Sequence, residues 1–524
     1  MVIPMPGSPM TETDPSKPGA SGGLGAVVEV GSLALMTAAG LAAWAVGIFT
    51  KGYDYDEVLR AHSIWLTSRG LRPYDDFFEV HPPYFVLLAP VFWAFADPVQ
   101  ALRALRLVAG AGNLLFLGGL VTLGSRSIPP ESGRRWAWLG VALVAFNPFI
   151  LDFLVEFRID GWGYALIAWS AVLYCQRPPG IRRDFGFGAW TGIASALFSP
   201  KMVLLPPLIV LLDLATRPGP WRGRVRAILA YLAGVGLAAS AFLLYLFANG
   251  IGIERTVLLL GRYHAVSNAH AGFRYGLIGQ VASFRVLGGL VVAGVVAWVV
   301  GCVRGRTLTG PYEPALALWL VAQALLVAYP YKQYYAPWFL FASGFVPSLG
   351  PVLGTLLRRG RGAVYVLACV ATIHGSTQVA RFWAAAGVAG SEDHLIRWMN
   401  RVAGPEDRVV GSPPYHPIDR LDTFFLWFNT SDPKGFDSER IFGELPGLRP
   451  FVTEERYRVE WEAHPPAVVV LKSPVFEVTH PAGQRAVLEN YLRRNGYRNV
   501  RIGVVRFALR PDRFEFARRN GFLE

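Results

Sequence analysis

Charge is scarce in this sequence. Only 17% of its 524 residues are Asp, Glu, Lys or Arg, and 53% are hydrophobic. Soluble domains carry about a quarter charged residues, so a wholly soluble protein is excluded. Lysine is scarcer still, with six against 44 arginines. Cysteine is nearly absent. Cys175, Cys302 and Cys369 sit in or at the ends of apolar runs, without metal-ligand spacing. That excludes a disulfide framework and a zinc cluster. No internal repeat is visible. No basic stretch precedes the first apolar run, Leu24 to Phe49, which is longer than a signal-peptide core. It reads as a first membrane span and not as a cleaved signal. Residues 1–23, rich in Pro, Gly, Ser and Thr, are expected to be disordered and cytoplasmic.

What is abundant is apolar length. Runs at about 25–49, 103–124, 137–156, 161–177, 187–199, 201–214, 227–249, 277–301, 312–329, 334–356 and 363–380 predict about eleven spans. The fold class is therefore a mainly α polytopic membrane protein. The segment "PPYFVLLAPVFWAFADP" is apolar but short and Pro-bounded, so it reads as juxtamembrane. With that segment outside the bilayer, the arginine-rich loops "SRSIPPESGRRW", "CQRPPGIRRD", "TRPGPWRGRVR", "CVRGRT" and "LLRRGRG" fall on one side. The positive-inside rule makes that side, and the N-terminus, cytoplasmic. The net charge of +13 is then a property of loops and calls for no nucleic acid. The loops at 50–102, 157–160, 199–201, 250–276 and 330–333 face outward. The transmembrane domain spans 24–380. The tail, 381–524, is richer in charge, and its amphipathic and β-like segments alternate. It predicts a soluble α/β domain outside the membrane.

The unusual polar residues gather on the outer face. The first loop carries Asp54, Asp56, Glu57 and His62, then Asp75, Asp76, Glu79 and His81. Later loops add Glu156, Arg158 and Asp160, then Lys201, then Arg262, His264, His270 and Arg274, then Lys332. Each has a plain structural reading. Asp54 and Asp56 suit a helix cap, and Lys201 and Lys332 suit snorkelling to the interface. Their joint occurrence at membrane depth is the functional signal. Such a set suits transfer from a lipid phosphate. A carboxylate serves as general base, cations stabilise the departing phosphate, and a carboxylate with a histidine can hold a divalent metal. A phosphate leaving group needs no general acid.

The stretch "YDYDEVLRAHSIWLTSRGLRPYDDFFEVHPPYFVLLAP" resembles the first outer loop of the GT-C glycosyltransferases. The branch it resembles holds the protein O-mannosyltransferases and the lipid A aminoarabinose transferases. The matched motifs are Asp56-Glu57, "GLRPYDDF" with Tyr74, "HPPYF", "FRIDGWG" with Asp160, "SPKMVLLPP" with Lys201 and "YKQYYAPW" with Lys332 and Tyr335. The resemblance covers about 25–356. It implies a GT-C fold in the bacterial inner membrane, a polyprenyl-phosphate-linked sugar donor and inverting transfer on the outer face. It implies Asp56 as base, with Glu57 and Asp160 beside it. Lys201, Lys332, Arg262, Arg274 and Tyr335 would bind the donor phosphate. Where the aminoarabinose transferases have glutamate followed by lysine, this chain has "FEVHPP". Glu79 with His264 is then the candidate metal pair, and His81, Arg158 and Tyr74 are further candidates. The chain is expected to be a monomer acting among membrane lipids on an acceptor the sequence does not name.

Two other classes fit less well. A lipid-linked sugar transporter or flippase predicts charges at the bilayer midplane and often an internal repeat. A polysaccharide polymerase or ligase, with a lipid-diphosphate donor, favours arginines over a carboxylate base.

Overall fold

The computed structural model describes residues 22–77, 79–126, 130–263, 284–304, 311–326, 332–350, 360–411, 414–422, 461–472 and 482–523, and the single positions 279 and 459. Helix α1 is Gly22–Thr50 and α2 is Tyr55–Ser68. Two single-turn helices follow, α3 (Phe85–Leu88) and α4 (Val91–Ala94). Then come α5 (Pro98–Gly124), α6 (Pro130–Ala145), α7 (Pro148–Val155), α8 (Asp160–Gln176), α9 (Ile181–Ile193), α10 (Leu205–Thr216), α11 (Trp221–Ala248) and α12 (Ile253–Val257). The bundle closes with α13 (Arg285–Val303), α14 (Tyr312–Leu326), α15 (Lys332–Ala342) and α16 (Gly360–Ala384).

Among the described residues, four helices are long and apolar enough to cross a membrane: Val27–Thr50, Pro98–Gly124, Trp221–Ala248 and Arg285–Val303. Arg134–Ala145 and Pro148–Val155, bent by 86°, make up to five. That count does not reach the expected eleven or so, and the runs at 312–329 and 334–356 extend past the described residues. The runs at 161–177, 187–199 and 201–214 become helices of 17, 13 and 12 residues, the last two joined through π and 3₁₀ turns. Each falls short of the roughly 20 residues that a straight span needs. The segment read as juxtamembrane forms α3 and α4, two turns on either side of Pro90.

Small residues set the packing. Against α11, a Cβ on Gly188 of α9 would lie 2.1 Å from the carbonyl oxygen of Tyr231. On α11, a Cβ on Gly234 would lie 2.2 Å from that of Phe185. Only glycine lets two backbones approach so closely, the usual device between apolar helices that gain nothing from excluding water. Helices α5 and α8 pack around Phe116, Tyr164 and Phe341, the aromatic centre of the largest core.

Beyond the bundle, α17 (Ala386–Val402) leads into a five-stranded sheet. The strands are β1 (Arg408–Val410), β2 (Leu421–Asp422), β3 (Val468–Lys472), β4 (Arg498–Ile502) and β5 (Val505–Leu509), in the order β2-β1-β3-β5-β4. β1 runs parallel to β2 and β3, while β3, β5 and β4 are antiparallel. The β4–β5 hairpin turns at Gly503, whose φ of +56° suits glycine. Helices α18 (Ala482–Arg494) and α19 (Pro511–Arg519) complete this part. Trp398, Val468, Val470, Phe507 and Leu509 form its core. It is fastened to the bundle by charge pairs. Arg103 of α5 donates to Asp393 at 2.5 Å, Tyr53 does so at 2.5 Å, and Arg397 reaches Asp97 at 2.8 Å.

Candidate active site

The site is built on α2. Asp54 caps the helix. Its Oδ1 accepts the Asp56 N–H at 3.1 Å, and its own N–H donates to Glu57 at 2.8 Å, a reciprocal capping box. Val58, Ala61 and Ile64 bury the apolar face and fix the helix roll. Glu57 is sealed. Arg106 of α5 grips both its oxygens at 2.8 and 2.7 Å, and the Phe157 N–H donates at 2.5 Å. Arg106 also donates to the carbonyls of Ile48, Lys51 and Gly52. One buried pair thus ties together the end of α1, α2, α5 and the 156–159 loop. Burial works to raise the Glu57 pKa, and Arg106 outweighs it and holds the group ionised.

The 156–159 loop supplies a second buried guanidinium. Arg158 reaches Glu156 at 2.7 Å, and Asp56 and Asp54 at 3.1 Å each. Lys51 closes the set on Glu156 at 2.7 Å. The Asp56 side chain keeps 23% of its surface open. Among the described residues, its Oδ1 accepts no hydrogen bond. Burial pushes its pKa up, but Arg158, Arg60 and His81 together hold it below the ordinary value.

Asp160 is the first residue of α8. Lys201, on the 3₁₀ turn Pro200–Met202, donates to its Oδ2 at 3.1 Å. The Lys201 Nζ also lies 5.1 Å from the Tyr334 ring centroid, within cation–π reach. The "FSPKM" and "YKQYY" motifs therefore meet at Asp160. Arg60 lies within electrostatic reach of both Asp56 and Asp160. At the same end of the bundle, Arg72 donates to the Gly250 carbonyl at 3.2 Å and Gly252 N–H to Asp75 at 3.2 Å.

The other candidates fall in varied places. Tyr335 is buried in the apolar core, its ring 5.3 Å from Phe284. Tyr74 is buried with φ +70°, and its hydroxyl donates to the His81 carbonyl at 2.7 Å. A bulky residue at positive φ is strained and held by its surroundings; here Tyr74 sets the 74–81 turn. Glu79 is buried. Its Oε1 receives the Val80 and His81 N–H groups and lies 2.7 Å from His81 Nδ1. His81 faces Arg60 across 3.3 Å. Arg262 is exposed at the end of a π-helical turn. His264, His270 and Arg274 lie outside the described residues, as does the side chain of Lys332.

Three groups were not singled out by the sequence. Arg60 and Tyr84 are buried beside Asp56 and Asp160. Arg60 was signalled by its spacing, four residues after Asp56 and hence on the same helical face. The third is a cluster between α2 and the sheet. His62 Nε2 lies 3.0 Å from Asp422 Oδ2, and His416 Nε2 lies 2.9 Å from Asp422 Oδ1. His62, His416 and Asp422 are residue types that could hold a metal. The hydrogen bonds point to a different use. The Ile418 N–H donates to His416 Nδ1 at 2.9 Å, so the ring proton sits on Nε2 and is given to Asp422. His62 Nδ1 meets the Ile418 carbonyl at 2.6 Å. The cluster fastens α2 to the sheet.

No protein-family model matches the chain, and no curated protein matches it in sequence. Solved structures do match in fold. ArnT from Cupriavidus metallidurans in the apo state is 14% identical, with a TM-score of 0.59 over 92% of this chain and 98% of that one. The same protein bound to undecaprenyl phosphate is 15% identical, with a TM-score of 0.58 over 92% and 98%. The Archaeoglobus fulgidus oligosaccharyltransferase, in complex with zinc and sulfate, is 13% identical, with a TM-score of 0.52 over 91% and 73%. The chain thus has the fold of the GT-C glycosyltransferases that its outer-loop motifs resemble.

Proposed function

We propose that the protein is an inverting glycosyltransferase that moves a sugar from a polyprenyl-phosphate carrier to an acceptor hydroxyl at the outer face of the membrane. One observation carries this reading. Two carboxylates, Asp56 and Asp160, come from separate elements to one end of the bundle and are interleaved with Arg158, Arg60 and Lys201. A ground-state salt-bridge network would pair them off fully. Here Asp56 keeps an oxygen that accepts nothing among the described residues.

Asp56 is the base. Its Oδ1, unengaged among the described residues, takes the acceptor proton as the acceptor oxygen attacks the anomeric carbon. The bond from that carbon to the phosphate oxygen breaks, and its electron pair stays on the polyprenyl phosphate. Arg158 holds Asp56 in place through the second oxygen, so one carboxylate edge is fixed and the other faces the substrate. Lys201 stands where an ammonium would meet the departing phosphate, and Asp160 orients it. Lys332, Arg262 and Arg274 would extend the phosphate subsite. Glu57 is a positioning residue, because its oxygens are committed to Arg106 and the backbone. Glu79, with His264, would hold a divalent cation that neutralises phosphate charge.

The binding of undecaprenyl phosphate is a property of one structural relative. For this chain we propose the same binding, together with the membrane orientation. The test is direct. The full chain in lipid nanodiscs is supplied with undecaprenyl-phosphate-linked sugars and a cell-envelope extract. Acceptor-dependent release of undecaprenyl phosphate is expected from the wild type and not from Asp56→Asn. Equal release by both would remove Asp56 as the base.

A further inference from the structure

Arg60 is 3% exposed. Its Nη2 lies 3.3 Å from His81 Nε2 and 3.7 Å from Asp56 Oδ2, the latter too long for a hydrogen bond. Its Nε and Nη1 are buried and donate to nothing among the described residues. The neighbouring guanidiniums behave otherwise. Arg106 makes five hydrogen bonds, and Arg158 reaches three different carboxylates. A buried cation with open donors is a costly arrangement in a folded protein, and it calls for an acceptor. The Tyr84 hydroxyl is in the same condition. It is buried, has no partner among the described residues, and lies within electrostatic reach of Arg60, Asp56 and Asp160. Three open donors therefore lie in the neighbourhood of the two carboxylates.

We infer that Arg60 is a donor-binding residue, whose open Nε and Nη1 nitrogens hold a phosphate oxygen of the lipid-linked sugar with the Tyr84 hydroxyl beside them. This rests on the glycosyltransferase reading and deepens it. An oxyanion is the ligand that fits, because a guanidinium is always charged and offers donors only. Among the described residues no carboxylate accepts from these nitrogens: Arg158 takes Asp56 Oδ2 and Lys201 takes Asp160 Oδ2. The i, i+4 spacing gives the arrangement its logic. Base and phosphate ligand sit one turn apart on one helix. When the bond between anomeric carbon and phosphate oxygen breaks, the proton goes to Asp56 and the electron pair to an oxygen already facing Arg60. Arg60 exchanges no proton.

The test measures binding of two lipids to the full chain in nanodiscs: undecaprenyl phosphate and the neutral alcohol undecaprenol. The wild type is expected to prefer the phosphate. Arg60→Gln is expected to lose about tenfold or more in affinity for the phosphate, and to bind undecaprenol unchanged. Arg60→Lys, which keeps a charge, should recover part of the loss and carries the test if Arg60→Gln does not fold. Unchanged phosphate affinity in Arg60→Gln overturns the proposal. So does an equal loss for both lipids, which is what a merely structural arginine would give. Inorganic phosphate that binds the wild type as tightly as the lipid would overturn the lipid source. A wild type blind to the difference between the two lipids would sink the glycosyltransferase reading itself, whatever Arg60 does.

Discussion

Asp56 and Glu57 are neighbours in sequence, yet the fold treats them oppositely. One step along a helix turns a side chain by about 100°. That step carries Glu57 into the protein against Arg106 and leaves Asp56 at the edge of the site. The acidic pair was legible in the sequence, but its division of labour was not, because it depends on an arginine 49 positions away. Two predictions separate the roles. Asp56→Asn should lower the transfer rate about 10²- to 10⁴-fold and leave the melting temperature in detergent nearly unchanged. Glu57→Gln leaves Arg106 buried and uncompensated, which typically costs about 3–5 kcal/mol. It should lower the melting temperature or abolish a monodisperse preparation. A Glu57→Gln protein that melts like the wild type would show that Arg106 needs no anion. Lys201→Ala should weaken undecaprenyl phosphate binding, measured by titration in nanodiscs. Unchanged affinity would leave Lys201 as a partner of Asp160 alone.

At the scale of elements, α2 is held from both ends. Its N-terminus is capped by Asp54 and locked by Glu57, and His62 joins it to the sheet through Asp422. Asp422 is held well below the usual carboxylate range; burial opposes this, and His416 and His62 outweigh it. Asp422→Asn should therefore loosen α2, seen as faster amide exchange across 55–68. Protection equal to the wild type would mean that the cluster does not fasten the helix. The start of α2 was readable from its capping pattern. Its partner was not, because His416 and Asp422 lie more than 350 residues further on, in a tail whose segments predicted strands but no pairing. A second contact of this kind titrates. Glu392 accepts the Tyr53 N–H at 2.6 Å, and burial raises its pKa to about 7. A carboxyl raised in the folded state favours folding when protonated. Its contribution is complete below the usual carboxylate pKa of about 4.3 and is lost as pH rises through about 7. The melting temperature should fall as pH rises across that window, and Glu392→Gln should flatten the fall. An identical pH profile in the variant would assign the effect to another group.

For the whole molecule, arginine counts alone led to the expectation that the loops at 50–102, 157–160, 199–201, 250–276 and 330–333 share one face. Contacts from Lys51 to Glu156, Arg158 to Asp56, Lys201 to Asp160 and Arg72 to Gly250 bring the first four together. Arg183, Asp184, Asp213 and Arg217 cluster elsewhere, where two of the arginine-rich loops meet. The number of spans was less legible. Hydropathy registers apolar length, whereas π turns, Pro200 and the bend at Asn147 cut that length into short helices. We propose that this face transfers a sugar with Asp56 as base. The most direct measurement is mass spectrometry of envelope lipids and glycans from cells that lack the protein, complemented with wild type or with Asp56→Asn. One glycosyl increment is expected to be absent without the protein, restored by the wild type and not by Asp56→Asn. Full restoration of that increment by Asp56→Asn would contradict it.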